Sequence, residues 1–167
     1  MCGRFALTIT GDAVAAAMHA TPVLPAFVEA LAAWQGRFNI APTSVIPIVV
    51  GRSGQRPMAV REVTRAHEAD GAGPGERAGE SGVAHELLFA RWGLIPFWAK
   101  EASIGAKLSN ARSDTIAEKP AFREAWKSRR CLVPATAFYE WQVPADGSPK
   151  RPHAIASSSG ELLALGG

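Results

Sequence analysis

The apolar residues of this chain fall into short runs that turn-forming residues interrupt at close intervals. The runs SVIPIVV, CLVPA and AFYEWQV are five to seven residues long and rich in β-branched or aromatic side chains. Runs of this length and composition predict strands rather than helices. None approaches the ~20 apolar residues that a membrane-spanning helix requires. The chain is therefore predicted to fold around sheets and to carry no membrane span.

Fewer stretches carry a helical pattern. Thr10 is suited to cap a helix over about 12–20, whose apolar residues recur on one face. A second short helix is predicted at about 25–34, and a third begins with Pro120 at its first position. Strands are predicted at about 5–9, 44–50 (with Pro47 placing part of it at a sheet edge), 58–63 and 86–92, in CLVPA and AFYEWQV, and in HAIASS and ELLALGG. The fold class is therefore α+β and strand-rich, with flanking short helices.

Residues 64–84 differ in composition from the rest of the chain. They are rich in Gly, Ala and Glu, and Val83 is their only large apolar residue. This composition predicts an exposed, flexible loop inserted between two strands. A chain of 167 residues with 47% hydrophobic residues suits one domain with a substantial core. Residues 1–167 are therefore predicted to form a single domain.

Cysteine content and charge exclude several classes of protein. Cys2 and Cys131 are the only cysteines, which excludes a disulfide scaffold and a cysteine metal framework and fits a reducing cytoplasm. The N-terminus lacks a basic region followed by an apolar run, so it does not resemble a secretory signal. A net charge of +3 permits a nucleic-acid partner without requiring one.

Cys2 follows the initiator methionine directly. After removal of Met1, Cys2 would carry an α-amine and a thiol on adjacent carbons, with ordinary pKa values of ~7.7–8.0 and ~8.5. Such an aminothiol condenses with an aldehyde to an imine, and the thiol then closes a stable five-membered thiazolidine. A free cysteine is also commonly a small buried residue. Both interpretations are open on the first residues alone.

Glu140 lies in the predicted strand AFYEWQV. Because strand side chains alternate, Glu140 shares a face with Phe138 and Gln142, opposite Tyr139 and Trp141. A carboxylate beside an aromatic residue on a half-buried face suits general acid–base chemistry. A glutamate on the solvent face of a strand is the alternative.

The loop-like stretch SNARSD contains two further candidates. Asn110 can both donate and accept hydrogen bonds, and Arg112 carries a planar fork that matches a phosphate. Ordinary turn chemistry explains the same residues equally well.

Aromatic and basic residues are interleaved in the second half of the chain. Trp92, Phe97, Trp98 and Trp141 stand among arginines and lysines, a combination that suits stacking on bases and tracking of a phosphate backbone. Trp34 and Trp126 are instead predicted to be core residues on helical faces.

Five motifs together resemble one family. MCGRF, RFNIAPT, RWGLIPFWA, NARSDT and CLVPATAFYEW occur in the order and spacing of the SRAP family, the SOS-response-associated peptidase-like or abasic-site processing proteins. The resemblance extends from residue 2 to about residue 157, nearly the whole chain. It implies a compact α+β domain around a barrel-like β core, with a basic groove for single-stranded DNA.

The resemblance also implies a chemistry. Cys2, freed of Met1, attacks the ring-opened aldehyde of an abasic site and forms a thiazolidine crosslink that shields the lesion. Asn110 orients the cysteine or the sugar, Glu140 shuttles protons, and Arg112 grips a phosphate. The residues that the resemblance assigns to DNA binding are Arg4, Asn39, Pro42, Phe97, Trp98, Arg112 and Trp141. No metal or other cofactor is implied.

The chain departs from the family pattern at two points. Asp114 stands where the family usually has Glu. The family also continues beyond ELLALGG and carries a catalytic histidine in a downstream H-x-R-M-P-like motif, so the last strands of the fold are expected to be missing. The resemblance therefore assigns no role to the histidines of this chain, which are His19, His67, His85 and His153.

The sequence predicts a monomeric abasic-site sensor of the cytoplasm, associated with the nucleoid, whose partner is single-stranded DNA with abasic sites. Two other functions stay open. One is a thiol peptidase with Cys2 as its nucleophile and its own Met1 as one candidate target. The other is an inactive remnant that binds single-stranded DNA without a covalent step.

Overall fold

The structure, a computed structural model, describes residues 3–51 and 85–167. Cys2, the predicted strand at 58–63 and the predicted loop at 64–84 lie outside the described residues. The described strands are β1 (Arg4–Leu7), β2 (Ala20–Pro22), β3 (Arg37–Ile40), β4 (Val45–Gly51), β5 (His85–Arg91), β6 (Leu132–Ala135), β7 (Ala137–Gln142), β8 (Arg151–Ile155) and β9 (Leu163–Gly166). The described helices are α1 (Gly11–Ala17), α2 (Pro25–Ala32) and α3 (Arg123–Ser128), with a 3₁₀ helix at Ala102–Lys107.

The described strands form two sheets. One has four strands in the order β3-β1-β7-β8, and the other has five in the order β2-β5-β4-β6-β9. The α+β class is confirmed. The barrel-like core is corrected to two open sheets in this part of the chain, because β3 and β8 end one sheet and β2 and β9 end the other.

The two sheets meet where β6 passes into β7. Thr136 lies between these strands, and its backbone N–H donates to the carbonyl of Ala6 at 2.8 Å. Its hydroxyl donates to the same carbonyl at 3.1 Å. Since Ala6 is in β1, this corner fixes β1 against β7 and sets the pairing that brings the candidate site together.

The core lies between β1, β4, β5 and the first helices. Leu7, Val14, Leu87 and Leu88 are each 0% exposed. Pro47 is also fully buried. The edge predicted at Pro47 is confirmed only locally, because β5 pairs along the whole of β4 whereas β6 joins β4 at Val49. A proline is tolerated there because no strand requires its missing N–H on the second side.

The helices follow the sequence in one case and depart from it in another. Thr10 caps α1, and its hydroxyl accepts from the N–H of Ala13 at 3.5 Å. The helix predicted to begin at Pro120 begins at Arg123, because residues 113–118 and 120–122 form turns. None of the helices in the described ranges has the length and apolarity needed to cross a membrane.

The two tryptophans predicted to be core residues have different environments. Trp34 is 5% exposed and belongs to the core, as predicted. Trp126 is 43% exposed, so its assignment to the core was wrong. The helix α3 has no fully buried residue, and its apolar periodicity therefore does not report a buried face.

Candidate functional site

Glu140 lies near the N-terminal end of β1. The strands β1 and β7 are antiparallel, with Arg4 opposite Tyr139 and Phe5 opposite Phe138. Because Glu140 directly follows Tyr139, the polypeptide enters β1 beside the half-buried strand residue Glu140. Cys2 lies outside the described residues, two positions before Arg4.

His153 lies directly opposite Glu140 on the neighbouring strand β8. Residues opposite each other in an antiparallel pair project from the same face. The His153 Nε2 is 3.1 Å from the Gln142 Oε1, which joins the histidine to the next residue on that face. Sequence reasoning assigned no role to His153. The turn PADGSPKRP between β7 and β8 is the signal that, with the register it sets, would have indicated this pairing.

The Arg4 side chain reaches β3, which neighbours β1 in the same sheet. Its Nη1 donates to the Asn39 Oδ1 at 2.9 Å. The Tyr139 hydroxyl donates to the carbonyl of Phe38 at 2.7 Å, which ties β7 to β3 across β1. The arginine and the asparagine of two separate motifs therefore form one polar contact, on the face of the sheet that Tyr139 shares and opposite to the face of Glu140.

The turn that follows β3 contains a strained residue. Thr43 has a φ of +74°, which is unusual for a β-branched side chain. Its N–H donates to the carbonyl of Trp92 at 2.8 Å, and the Trp92 N–H donates to the carbonyl of Ser44 at 2.9 Å. These bonds hold the turn, and with it the half-buried Pro42, against the residue that follows β5.

Trp92 links Asn110 to β1. The indole Nε1 donates to the carbonyl of Ser109 at 2.7 Å. The same indole packs edge-on against Phe5, with 5.3 Å between ring centroids. Since Asn110 directly follows Ser109, a chain of two contacts fixes the start of the Asn110 loop relative to β1.

A glycine pair supports this connection. Gly93 has a φ of +130°, and a Cβ at this position would overlap the carbonyl of Gly105 in the 3₁₀ helix. The Leu94 N–H donates to the carbonyl of Leu108 at 3.1 Å, so the two segments run in contact. The loop that carries Asn110 therefore requires a glycine at position 93.

Arg112 is engaged by Asp114 in a bidentate ion pair. The Nε donates to Oδ1 at 3.1 Å, and Nη2 donates to Oδ2 at 2.8 Å. Both side chains are exposed. The guanidinium holds the pKa of Asp114 below its ordinary value, and the hydrogen bond to Asp114 raises the pKa of Arg112. Arg112 is therefore oriented by its neighbour, and its side chain remains more than half exposed.

Phe97 and Trp98 lie at the tip of an exposed turn. The Ala99 N–H donates to the carbonyl of Pro96 at 3.0 Å, and Pro96 is buried. Phe97 is 75% exposed and Trp98 is 50% exposed. Trp141 on β7 is also exposed. Exposed large aromatic groups of this kind are suited to a stacking partner.

The structure thus links Arg4, Asn39 and Glu140 through adjacent strands, and Asn110 through Trp92. Arg112 follows on the exposed part of the same loop as Asn110. Phe97 and Trp98 occupy a separate turn. Among the described residues, no group of three His, Cys, Asp or Glu side chains is arranged to hold a metal ion.

Cys131 has the character of a structural thiol. Burial raises its pKa to about 11. We expect iodoacetamide to leave Cys131 unmodified at pH 8 in the folded protein and to modify it as the pH approaches 11 or when urea unfolds the chain. Because the folded thiol keeps its proton when the unfolded thiol has lost it, stability should fall between about pH 9 and 11.

Peptide mass mapping after alkylation measures the reactivity, and urea titrations at pH 8 and pH 10.5 measure the stability. Cys131→Ser is the matched control, since it should lose the decrease in stability over this pH interval. Rapid modification of Cys131 at pH 8 without unfolding would contradict its burial.

Comparison with known proteins identifies relatives along the whole chain. The family model described as "SOS response associated peptidase (SRAP)" matches residues 1–167. The abasic site processing protein YoqW of Bacillus subtilis is 32% identical over 167 residues, which cover 100% of this chain and 59% of that protein. YoaM of Bacillus subtilis, also called an abasic site processing protein, is 49% identical over 86 residues, which cover 52% of this chain and 37% of that protein.

A solved structure shares the fold. A crystal structure of a Bacteroides thetaiotaomicron protein aligns with 99% of this chain at a TM-score of 0.68 and 22% identity, and the alignment covers 58% of that protein. The chain therefore spans little more than half the length of the relatives that match it throughout. The motif resemblance is confirmed by these relatives, and the α+β fold is confirmed by the solved structure.

Proposed function

This chain belongs to the SOS response associated peptidase (SRAP) family, and from that premise we propose that it processes abasic sites in DNA by covalent capture through Cys2. The names of its relatives support abasic-site processing in response to DNA damage. The proposed partner is single-stranded DNA. The proposed acting form is a monomer in the cytoplasm, at the nucleoid.

The proposed reaction starts with hydrolytic removal of Met1 by a methionine aminopeptidase. The Cys2 amine then adds to the aldehyde carbon of the ring-opened abasic sugar, and loss of water gives an imine. The thiol sulfur adds to the imine carbon, and its proton passes to the nitrogen. The net change joins one aldehyde and one aminothiol into a thiazolidine and releases one water.

The observation that carries this proposal is the pairing of β1 with β7. Arg4 is opposite Tyr139, and peptide geometry keeps the Cα of Cys2 within about 7.6 Å of the Cα of Arg4. In the proposed mechanism Glu140, which follows Tyr139 in β7, is the carboxyl group that serves Cys2. In this role its carboxyl group protonates the departing hydroxyl of the carbinolamine and takes a proton back from the iminium nitrogen.

The remaining residues would position the DNA. Asn110, on the loop fixed by Trp92, would hydrogen-bond to the sugar or to the Cys2 amine. Arg112 would bind a phosphate through the N–H groups that Asp114 leaves to solvent. The exposed rings of Phe97 and Trp98 would stack on bases next to the lesion.

A denaturing gel tests the proposal. The Met-free protein is mixed with single-stranded DNA that carries one abasic site, and with the same DNA without it. We expect a heat-stable band of the combined mass with abasic DNA only. Equal, non-covalent retention of both DNAs would contradict covalent capture, and general proteolysis of an added substrate would favour the peptidase.

Asp114 should restrain DNA binding by Arg112. In Asp114→Asn the guanidinium loses a competing negative charge, so we expect affinity for intact single-stranded DNA to rise about two- to fivefold at low salt. Fluorescence anisotropy at two salt concentrations measures this, and Arg112→Gln should lower affinity in the same assay. Weaker binding by Asp114→Asn would show that Asp114 chiefly orients Arg112.

The pKa of Asp114 gives the same prediction a pH dependence. Its carboxylate pairs with Arg112 at neutral pH, and protonation below its lowered pKa removes the competing charge. The restraint should therefore be present at neutral pH and lost only in strong acid, so the advantage of Asp114→Asn should be constant from pH 6 to 8.

A further inference from the structure

Residues 118–130, which we call the basic segment, carry a net positive charge. It contains five Lys or Arg residues and two Glu residues, so its net charge equals the +3 of the whole chain. It comprises α3 and the turns that flank it. A stretch of thirteen residues that includes a helix therefore has a net charge of +3.

The ion pairs within the basic segment leave a surplus of positive charge. Arg123 and Lys127 share one carboxylate, with Glu124 Oε1 3.6 Å from the arginine Nε and 3.8 Å from the lysine Nζ. All three side chains are more than half exposed. Exposed pairs of this length are weak and exchange readily with other anions.

An exposed aromatic side chain lies within this charge. The guanidinium of Arg130 stands over the Trp126 ring, 5.7 Å from its centroid. Trp126 is 43% exposed, although its position in the sequence had predicted burial. A solvated charged surface alone does not explain an exposed indole. A surface that binds single-stranded nucleic acid uses both kinds of group, because bases stack on the indole and phosphates bind the guanidinium.

The basic segment is continuous with Arg112. The N–H of Thr115 donates to the carbonyl of Arg112 at 3.2 Å. The N–H of Lys119 donates to the carbonyl of Thr115 at 3.1 Å, and the N–H of Arg123 donates to the carbonyl of Lys119 at 2.9 Å. These successive turns join the bidentate Arg112 to α3 without an extended break. The charge of Lys119 also acts on Asp114, which places the start of the basic segment beside the Arg112 ion pair.

We propose that the basic segment is a second nucleic-acid-binding surface, which follows the phosphate backbone away from Arg112 and stacks a base on Trp126. Arg123, Lys127 and Arg130 bind phosphates, and Glu124 is released from its two cations as they do so. The inference rests on the proposed function for the direction of the DNA strand. Its partner is identified by chemistry alone, as a flexible polyanion with exposed aromatic bases.

The test uses intact single-stranded DNA, so it does not depend on covalent capture. A variant with Arg123→Gln, Lys127→Gln and Arg130→Gln is compared with the unmodified chain on oligonucleotides of about five and about twenty nucleotides. On the longer DNA we expect an affinity loss of about tenfold or more and a salt slope that is smaller by about 2, since each lost phosphate contact on a single strand contributes about 0.7. On the shorter DNA the loss should be smaller.

Two further variants make the result decisive. Lys150→Gln removes one positive charge, as Lys127→Gln does, from the turn between β7 and β8. It should leave the salt slope unchanged. Lys127→Gln alone should reduce the slope by about 0.7, which preserves the test if the triple variant unfolds. Arg130→Lys keeps the charge but loses the planar guanidinium, so it should keep the slope and weaken binding.

Three results would overturn the inference. One is an unchanged salt slope in a folded triple variant. Another is a reduction of the salt slope by Lys150→Gln that is as large as the reduction by Lys127→Gln. The third is binding to vesicles of phosphatidylserine and phosphatidylcholine that depends on the basic segment as strongly as DNA binding does. If the salt slope falls as expected while no crosslink forms with abasic DNA, the covalent function fails and the second surface stands.

Discussion

Cys2→Ser is expected to lose the heat-stable crosslink to abasic single-stranded DNA, to below about 1% of the unmodified amount. The variant keeps the α-amine, so it can still form an imine with the aldehyde. It lacks the thiol, so the imine cannot close to the sulfur ring and hydrolyses again. A denaturing gel measures the loss, and addition of borohydride should restore a band in the variant by reducing the imine.

Cys131→Ser is the matched control because it removes the other thiol of the chain. Burial keeps that thiol protonated at neutral pH, with its pKa raised to about 11, so the crosslink should form unchanged. Mass spectrometry of the N-terminus checks that Met1 has been removed in each protein. A heat-stable crosslink of Cys2→Ser in normal yield, without borohydride, would exclude the thiazolidine.

Gly93→Ala is expected to lower the free energy of unfolding by about 3 kcal/mol, since the position combines backbone strain with steric overlap. The φ of +130° is one that L-residues rarely adopt, and the new Cβ would meet the Gly105 carbonyl. Displacement of this contact should also move the loop that carries Asn110. Urea unfolding measures the stability, and the gel assay with abasic DNA measures the consequence for capture.

Gly147→Ala separates the two causes. Gly147 has a φ of +75° but no atom lies within 4 Å of its would-be Cβ. This variant should therefore show the backbone cost alone, about 1–2 kcal/mol. Equal destabilisation by the two variants would mean that the contact between Gly93 and Gly105 contributes nothing, and capture by Gly93→Ala should then be normal.

Local signals predicted the local structure well. Thr10 caps α1 as its side chain and the following apolar pattern indicated. The runs CLVPA and AFYEWQV form β6 and β7, because β-branched and aromatic residues bounded by turns favour strands. The final segments pair as β8 with β7 and β9 with β6.

The failures arose where a local pattern had two tertiary outcomes. The apolar face of α3 would suit a core, but α3 has no buried residue, and Trp126 is 43% exposed. Pro47 suggested an edge, which holds for one part of β4 only, because β4 lies between β5 and β6 in its sheet and pairs with β6 at Val49. A single sequence does not state which elements become neighbours.

The same division applies to the candidate site. The order of residues specifies the chemical groups of the site, which are the aminothiol at Cys2, the carboxyl group of Glu140, the amide of Asn110 and the guanidinium of Arg112. Which residues lie next to these groups depends on contacts between segments that are far apart in the sequence. Arg4 meets Asn39 across 35 positions, and Trp92 meets Ser109 across 17. Such contacts depend on strand register and on how two sheets join, which arise from packing the whole core at once.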